Sequence, residues 1–210
     1  MPKLGAVLLA AATVLLFVLV LRGHRPAESA GQTMTALSQT YISMRAEAPL
    51  QVPPLTVSNG SLFGRERLEG HWSVFFFGFT ACPLVCPKTL SVLSAVARDP
   101  ESGVIGGSML PIFVSVDPEH DTPQRVGSYL SHFDSHIVGL TGSSDNIAHF
   151  ANEIGAGYQP VESSIDHSTS LFVVDPQGRL AGVLLRPNRP SQIINDLTKL
   201  RRVYAEGGSH

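Results

Sequence analysis

The stretch VFFFGFTACPLVCP, residues 74–87, decides how the rest of the chain reads. Val74 to Phe77 form an apolar run without polar alternation, the pattern of a strand buried on both faces. Gly78 and Thr80 follow, and then both of the protein's cysteines, Cys82 and Cys86, each with a proline after it. A helical pattern runs from there to about Arg98. A strand that hands two thiols to the mouth of a helix puts them at a sheet's carboxyl edge, where open α/β sheets hold their ligands.

Working outward, LPIFVSV (residues 110–116) is a second buried strand, ending in Asp117-Pro118. Thr122 is a good N-cap with Pro123 at the first helical position, opening a helix to about Phe133. A short strand is expected over 137–140. Ser143-Ser144-Asp145 caps a further helix to about Ile154. TSLFVV (169–174) and residues 180–185 flank the turn Asp175-Pro176-Gln177-Gly178, a β-hairpin, and 191–204 closes the domain as an amphipathic helix. Upstream, residues 51–57 and Asn59-Gly60-Ser61-Leu62 read as a strand and a tight turn. Alternating strands and helices call for an α/β fold, a mixed sheet with helices on both faces and the last hairpin as its antiparallel edge. One domain is expected over 49–204, with a tail at 205–210.

Residues 4–21 are 18 uncharged residues between Lys3 and Arg22. As a helix they would span about 27 Å, enough for a bilayer core, whereas the apolar part of a cleaved signal is usually about 7–15 residues. Residues 1–25 are therefore expected to form an uncleaved membrane anchor. Flanking charge does not decide its orientation, since Lys3 faces Arg22 and Arg25. Residues 26–48 form a tether, in which 34–44 carries a weak helical period. The net charge of −2, with Arg201-Arg202 the only adjacent basic pair, gives no nucleic-acid footprint. Two cysteines build no multi-disulfide framework, so the fold rests on its apolar core.

The CxxxC spacing leaves a disulfide, a metal pair or a redox couple. With Pro87 at the first helical position, Cys86 falls at the N-cap, where the helix dipole and unpaired N–H groups favour thiolate. Positions i and i+4 put Cβ atoms about 5–6 Å apart, whereas a disulfide wants about 3.8 Å. Two sulfurs on one metal at about 2.3 Å make a looser demand. The pair suits a metal, then, and can still oxidise if the loop adjusts. A third ligand is sought among eight histidines. His24 and His210 are terminal; His132, His136 and His149 read as surface residues; His120 lies in a loop, and His71 at the far end of the central strand. His167 stands just before TSLFVVD. That strand should run antiparallel to the central one, so His167 is placed next to the cysteine loop, as ligand or as an ordinary loop histidine.

FGFTACPLVCPKTL, FVSVDPEHDTP, LTGSSDNI and DHSTSLFVVDPQGRL, in this order, resemble the Sco (SCO/SenC) copper-chaperone family over about residues 50–204. The resemblance implies a thioredoxin-like fold behind a membrane anchor. It also implies copper, Cu(I) or Cu(II), held by Cys82, Cys86 and His167, with Asp117 assisting the copper(II) site. The implied client is cytochrome c oxidase subunit II, whose dinuclear copper site is loaded or has its cysteines reduced. The implied location is the bacterial inner membrane facing the periplasm, or the mitochondrial inner membrane facing the intermembrane space. Leu84 stands where the family often has an acidic residue, and the loop at 159–165 is short. Soft thiolates select copper(I), and imidazole suits both oxidation states; zinc also fits a Cys₂His set. Transfer calls for an open site. The competing functions are a metal-free thiol–disulfide reductase using Cys82 and Cys86, and a peroxidase, whose motif Thr80-Ala81-Cys82 does not match. A metallochaperone need not be an enzyme, one protein can do both, and His167 is the feature that favours metal.

Overall fold

Val74 to Phe77 lie at the centre of the sheet, none more than 1% exposed. In the computed structural model of the protein, the residues described are 41–43, 46, 48–103, 106–161, 164–167, 169–185 and 187–207. Among them, the strands in chain order are β1 (Tyr41–Ser43), β2 (Leu55–Val57), β3 (Leu62–Phe63), β4 (Trp72–Gly78), β5 (Met109–Ser115), β6 (Val138–Thr141), β7 (Tyr158–Val161), β8 (Ser164–His167), β9 (Leu171–Val174) and β10 (Leu180–Leu184). The α-helices are α1 (Val85–Arg98), α2 (Pro123–Leu130), α3 (Ser144–Ile154) and α4 (Pro190–Gly207).

Eight strands form one sheet in the order β1-β10-β9-β4-β5-β6-β2-β3. β4, β5 and β6 are parallel, joined through α1 and α2, and β9 lies antiparallel against β4 with Phe76 opposite Leu171. This is the mixed, thioredoxin-like sheet expected. Side chains alternate across it. Phe75 and Phe77 meet Phe150 of α3 on one face. On the other, Phe76 meets Phe113, which touches Tyr129 of α2, and Trp72 meets Tyr204 of α4. Gly139 stays small because a Cβ there would run into Val126 and Leu130 of α2.

The caps are those read from the residues. Thr122 Oγ1 accepts from the Arg125 N–H and Ser143 Oγ from the Asn146 N–H, so each satisfies a free donor of its helix. Gly178 closes the turn between β9 and β10 at φ +76°, with its N–H on the Asp175 carbonyl.

Four expectations are corrected. The last hairpin is not the edge: β1 pairs with β10 outside it. Within the tether's weakly helical stretch, Tyr41–Ser43 is thus strand, because the free edge of β10 offers backbone partners that a lone helical turn lacks. Residues 159–165, read as loop, contain a hairpin, β7 with β8, that forms its own two-stranded sheet. Helix α1 starts at Val85, not Pro87. Proline is tolerated there because the first four N–H groups of a helix have no intrahelical partner to lose. The anchor expected at 4–21 lies outside the described residues; among the described ones no helix is long and apolar enough to cross a membrane.

Candidate metal centre

The two cysteines are carried by the end of β4 and the start of α1. Gly78 is the last residue of β4, and the Cys86 sulfur sits where a side chain would be: a Cβ on Gly78 would lie 2.6 Å from Cys86 Sγ and 3.0 Å from Phe113 Cε2. The chain then turns, with the Cys82 N–H on the Phe79 carbonyl at 3.2 Å. That turn aims Cys82 back at the helix, and its sulfur accepts the Cys86 N–H at 3.4 Å. Leu84, the N-cap residue, offers no side-chain acceptor, so Cys82 Sγ takes a donor that a capping side chain would otherwise hold.

The thiols are unequal. Both are buried and neither is in a disulfide, Cys82 8% exposed and Cys86 not at all. Burial pushes the Cys82 thiol up, but the Cys86 N–H, the Cys86 thiol and the N–H groups of the two preceding residues outweigh it, leaving Cys82 below its ordinary value. Burial pushes the Cys86 thiol far up; a hydrogen bond from the Phe79 backbone opposes this, and the charges of Cys82 and Asp121 add to it. The helix start therefore favours thiolate at Cys82 rather than at Cys86. With α1 beginning at Val85, Cys86 is already inside the first turn and turns its sulfur into the core. The site is also less open than expected.

The loop is held by a residue the motif reading passed over. Asp121 is 1% exposed and accepts the Thr80 N–H at 2.8 Å, the Thr80 hydroxyl at 2.5 Å and the Ser115 hydroxyl at 2.6 Å. Arg125 Nε donates to Thr80 Oγ1 at 3.0 Å. One buried carboxylate thus ties the cysteine loop to the end of β5 and the start of α2. The available signal was topological: parallel neighbours β4 and β5 end at one edge, so a polar residue after either belongs to the same site.

Asp117 lies on that edge, half-buried, its N–H on Ser115 Oγ at 3.2 Å and its Oδ1 on His120 Nδ1 at 2.8 Å. The hydrogen bond and the charge of Asp117 raise the His120 pKa. His132, His136 and His149 are exposed, as expected, and His71, also exposed, precedes β4 at the end away from the thiols. His167 is the last residue of β8, with its backbone opposite Tyr158. Because β9 runs antiparallel to β4, the chain after His167 enters the sheet beside the end of β4 that delivers the thiols. Among the described residues no group of three or more His, Cys, Asp and Glu is placed to hold a metal ion, and the His167 side chain is not among those described. What is assembled is a two-sulfur site with a histidine-bearing strand leading into its edge of the sheet. Two thiolates suit a soft ion such as copper(I).

The model of the SCO1/SenC family matches residues 53–202. Copper-bound ScoI of Arabidopsis thaliana has a similar structure, 30% identical with a TM-score of 0.68, over 75% of this chain and all of that one. Copper-bound ScoI of Bradyrhizobium japonicum is 33% identical with a TM-score of 0.63, over 73% of this chain and 99% of that one. A SCO2-like protein of Rickettsia prowazekii is 32% identical over 128 residues, 58% of this chain and 62% of that protein, so the chain spans less than two thirds of that relative.

Proposed function

The chain belongs to the SCO1/SenC family, and from that premise we propose that it is a copper metallochaperone. It holds copper through Cys82, Cys86 and His167, with Asp117 assisting the copper(II) state, and delivers it to the dinuclear copper site of cytochrome c oxidase subunit II. The observation that carries this reading is the pairing of the two thiols, neither in a disulfide, at the mouth of α1, with Cys82 Sγ taking the Cys86 N–H. Soft sulfur donors favour copper(I), and an imidazole added to them suits copper(II) as well. The 4–21 span anchors the protein in a membrane, in the bacterial reading the inner membrane, with the domain facing the periplasm.

The unequal burial of the thiols favours a second reading, a thiol–disulfide reductase. Cys82, the less buried residue of the two, would attack a client disulfide. Cys86 would then resolve the mixed disulfide, leaving a Cys82–Cys86 bond while two electrons pass to the client.

The test uses the full-length protein, expected in the membrane fraction, solubilised, reduced and given copper. One copper per chain is expected, with a sulfur-to-copper(II) charge-transfer band on oxidation, both lost in Cys82→Ser and in Cys86→Ser. Stoichiometry and spectrum unchanged in either variant would put the metal elsewhere, and recovery in the soluble fraction would contradict the anchor.

A further inference from the structure

Leu84 and Val85 separate the two cysteines, and they are 76% and 40% exposed. They are two of the four exposed large hydrophobic side chains among the described residues, the others being Leu62 and Val203. The fold does not account for Leu84. It is the N-cap of α1, a position where leucine ranks among the poorest choices and serine, aspartate or asparagine among the best. It forms no capping hydrogen bond, and burial gives it no compensation. A residue that breaks two local rules beside a reactive pair is expected to have a functional reason.

Position supplies one. The sulfurs are recessed while Ala81, Pro83, Leu84 and Val85 around them stand in solvent, and no residue from 79 to 87 is charged. A protein that brings its own sulfur ligands to Cys82 and Cys86 must press against this lip. Resting on the copper-chaperone reading, we propose that Leu84 and Val85 form the docking surface for the copper-receiving protein, and that the receiver's acceptor thiols lie within an apolar rim. Apolar lips exclude water from the exchange and contribute attraction in proportion to the area they bury. In the exchange copper(I) leaves the thiolates of Cys82 and Cys86 for two thiols of the receiver. The two protons displaced there end on Cys82 and Cys86, and no electron moves.

Leu84→Ala separates fold from docking, because alanine is as poor an N-cap as leucine, leaves the Cys86 N–H with Cys82 Sγ and keeps every backbone N–H. The probe is the soluble dinuclear-copper domain of cytochrome c oxidase subunit II, mixed with copper(I)-loaded full-length protein. Leu84→Ala should load copper as the wild type does, with the same charge-transfer spectrum after oxidation and the same rate of copper(I) loss to a small chelator. Its transfer to the subunit II domain should be at least about tenfold slower, and Leu84→Met should restore it. Equal transfer by wild type and Leu84→Ala overturns the docking surface, as does a Leu84→Ala protein that fails to load. Loading without transfer by the wild type overturns this receiver and its surface together. A wild type that loads nothing at the cysteines overturns instead the chaperone reading on which the surface rests.

Discussion

The two halves of the proposed copper site are built by different means. Cys86 is a core residue, fully buried, with its sulfur in the space that Gly78 leaves open. Its loop is tied down by Asp121 through two hydrogen bonds from Thr80 and one from Ser115. His167 ends β8, which pairs among the described residues with β7 alone, in a two-stranded sheet apart from the main one. A lone two-stranded hairpin is marginally stable by itself. The difference teaches that the sulfur half is fixed by the global fold, whereas the histidine half depends on the register of a short ribbon. Changes near the thiols should therefore act on stability and metal binding together, and changes at His167 on metal binding alone.

The strongest way to break that contrast is Gly78→Ala. The new Cβ meets the Cys86 sulfur and the Phe113 ring, both in the packed core. Overpacking of this kind costs about 1–3 kcal/mol, and with both obstacles fully buried the upper end is expected, about 3 kcal/mol. Denaturant unfolding should show the loss, and copper loading should fall with it. A stable variant with normal loading would mean that the core does not fix Cys86.

Asp121→Ala should come next. It strands the Thr80 N–H, for which a donor left unsatisfied costs about 1–3 kcal/mol. About 2 kcal/mol is expected, with a shifted charge-transfer band because the cysteine loop loses its anchor. Asp121→Asn should recover most of both, since the amide oxygen can still accept from Thr80 and the Thr80 hydroxyl can turn to accept from the amide nitrogen. If the alanine variant loses stability but keeps the wild-type spectrum, Asp121 supports the fold without positioning the thiols.

How much of this was legible in the residues follows the same division. The unbroken apolar run at Val74 to Phe77, the Thr122 and Ser143 caps and the Asp175–Gly178 turn each carry a local signal, and the structure has each where it was read. The antiparallel entry of β9 beside β4, and with it the end of the sheet that His167 leads into, followed from the order of elements. The β7–β8 hairpin was missed because its residues lack strong alternation and its pairing is made with itself. β1 was missed because an edge strand is decided by the partner it covers, here β10. Asp121 carries no spacing motif at all; its role exists only once β4 and β5 end side by side. The start of α1 was misread because Pro87 suits the first helical position so well, although the third position is equally free of a lost hydrogen bond.

The most direct test of the central claim, that copper is held jointly by the two thiols and the ribbon histidine, is copper binding by full-length His167→Ala. The variant keeps both thiols, so its unfolding midpoint should stay within error of the wild type. Copper(II) affinity should fall by at least an order of magnitude with a changed charge-transfer band, and copper(I) affinity should fall far less, because two thiolates already satisfy a soft ion of low coordination number. Wild-type copper(II) affinity and an unaltered band in this variant would contradict the claim.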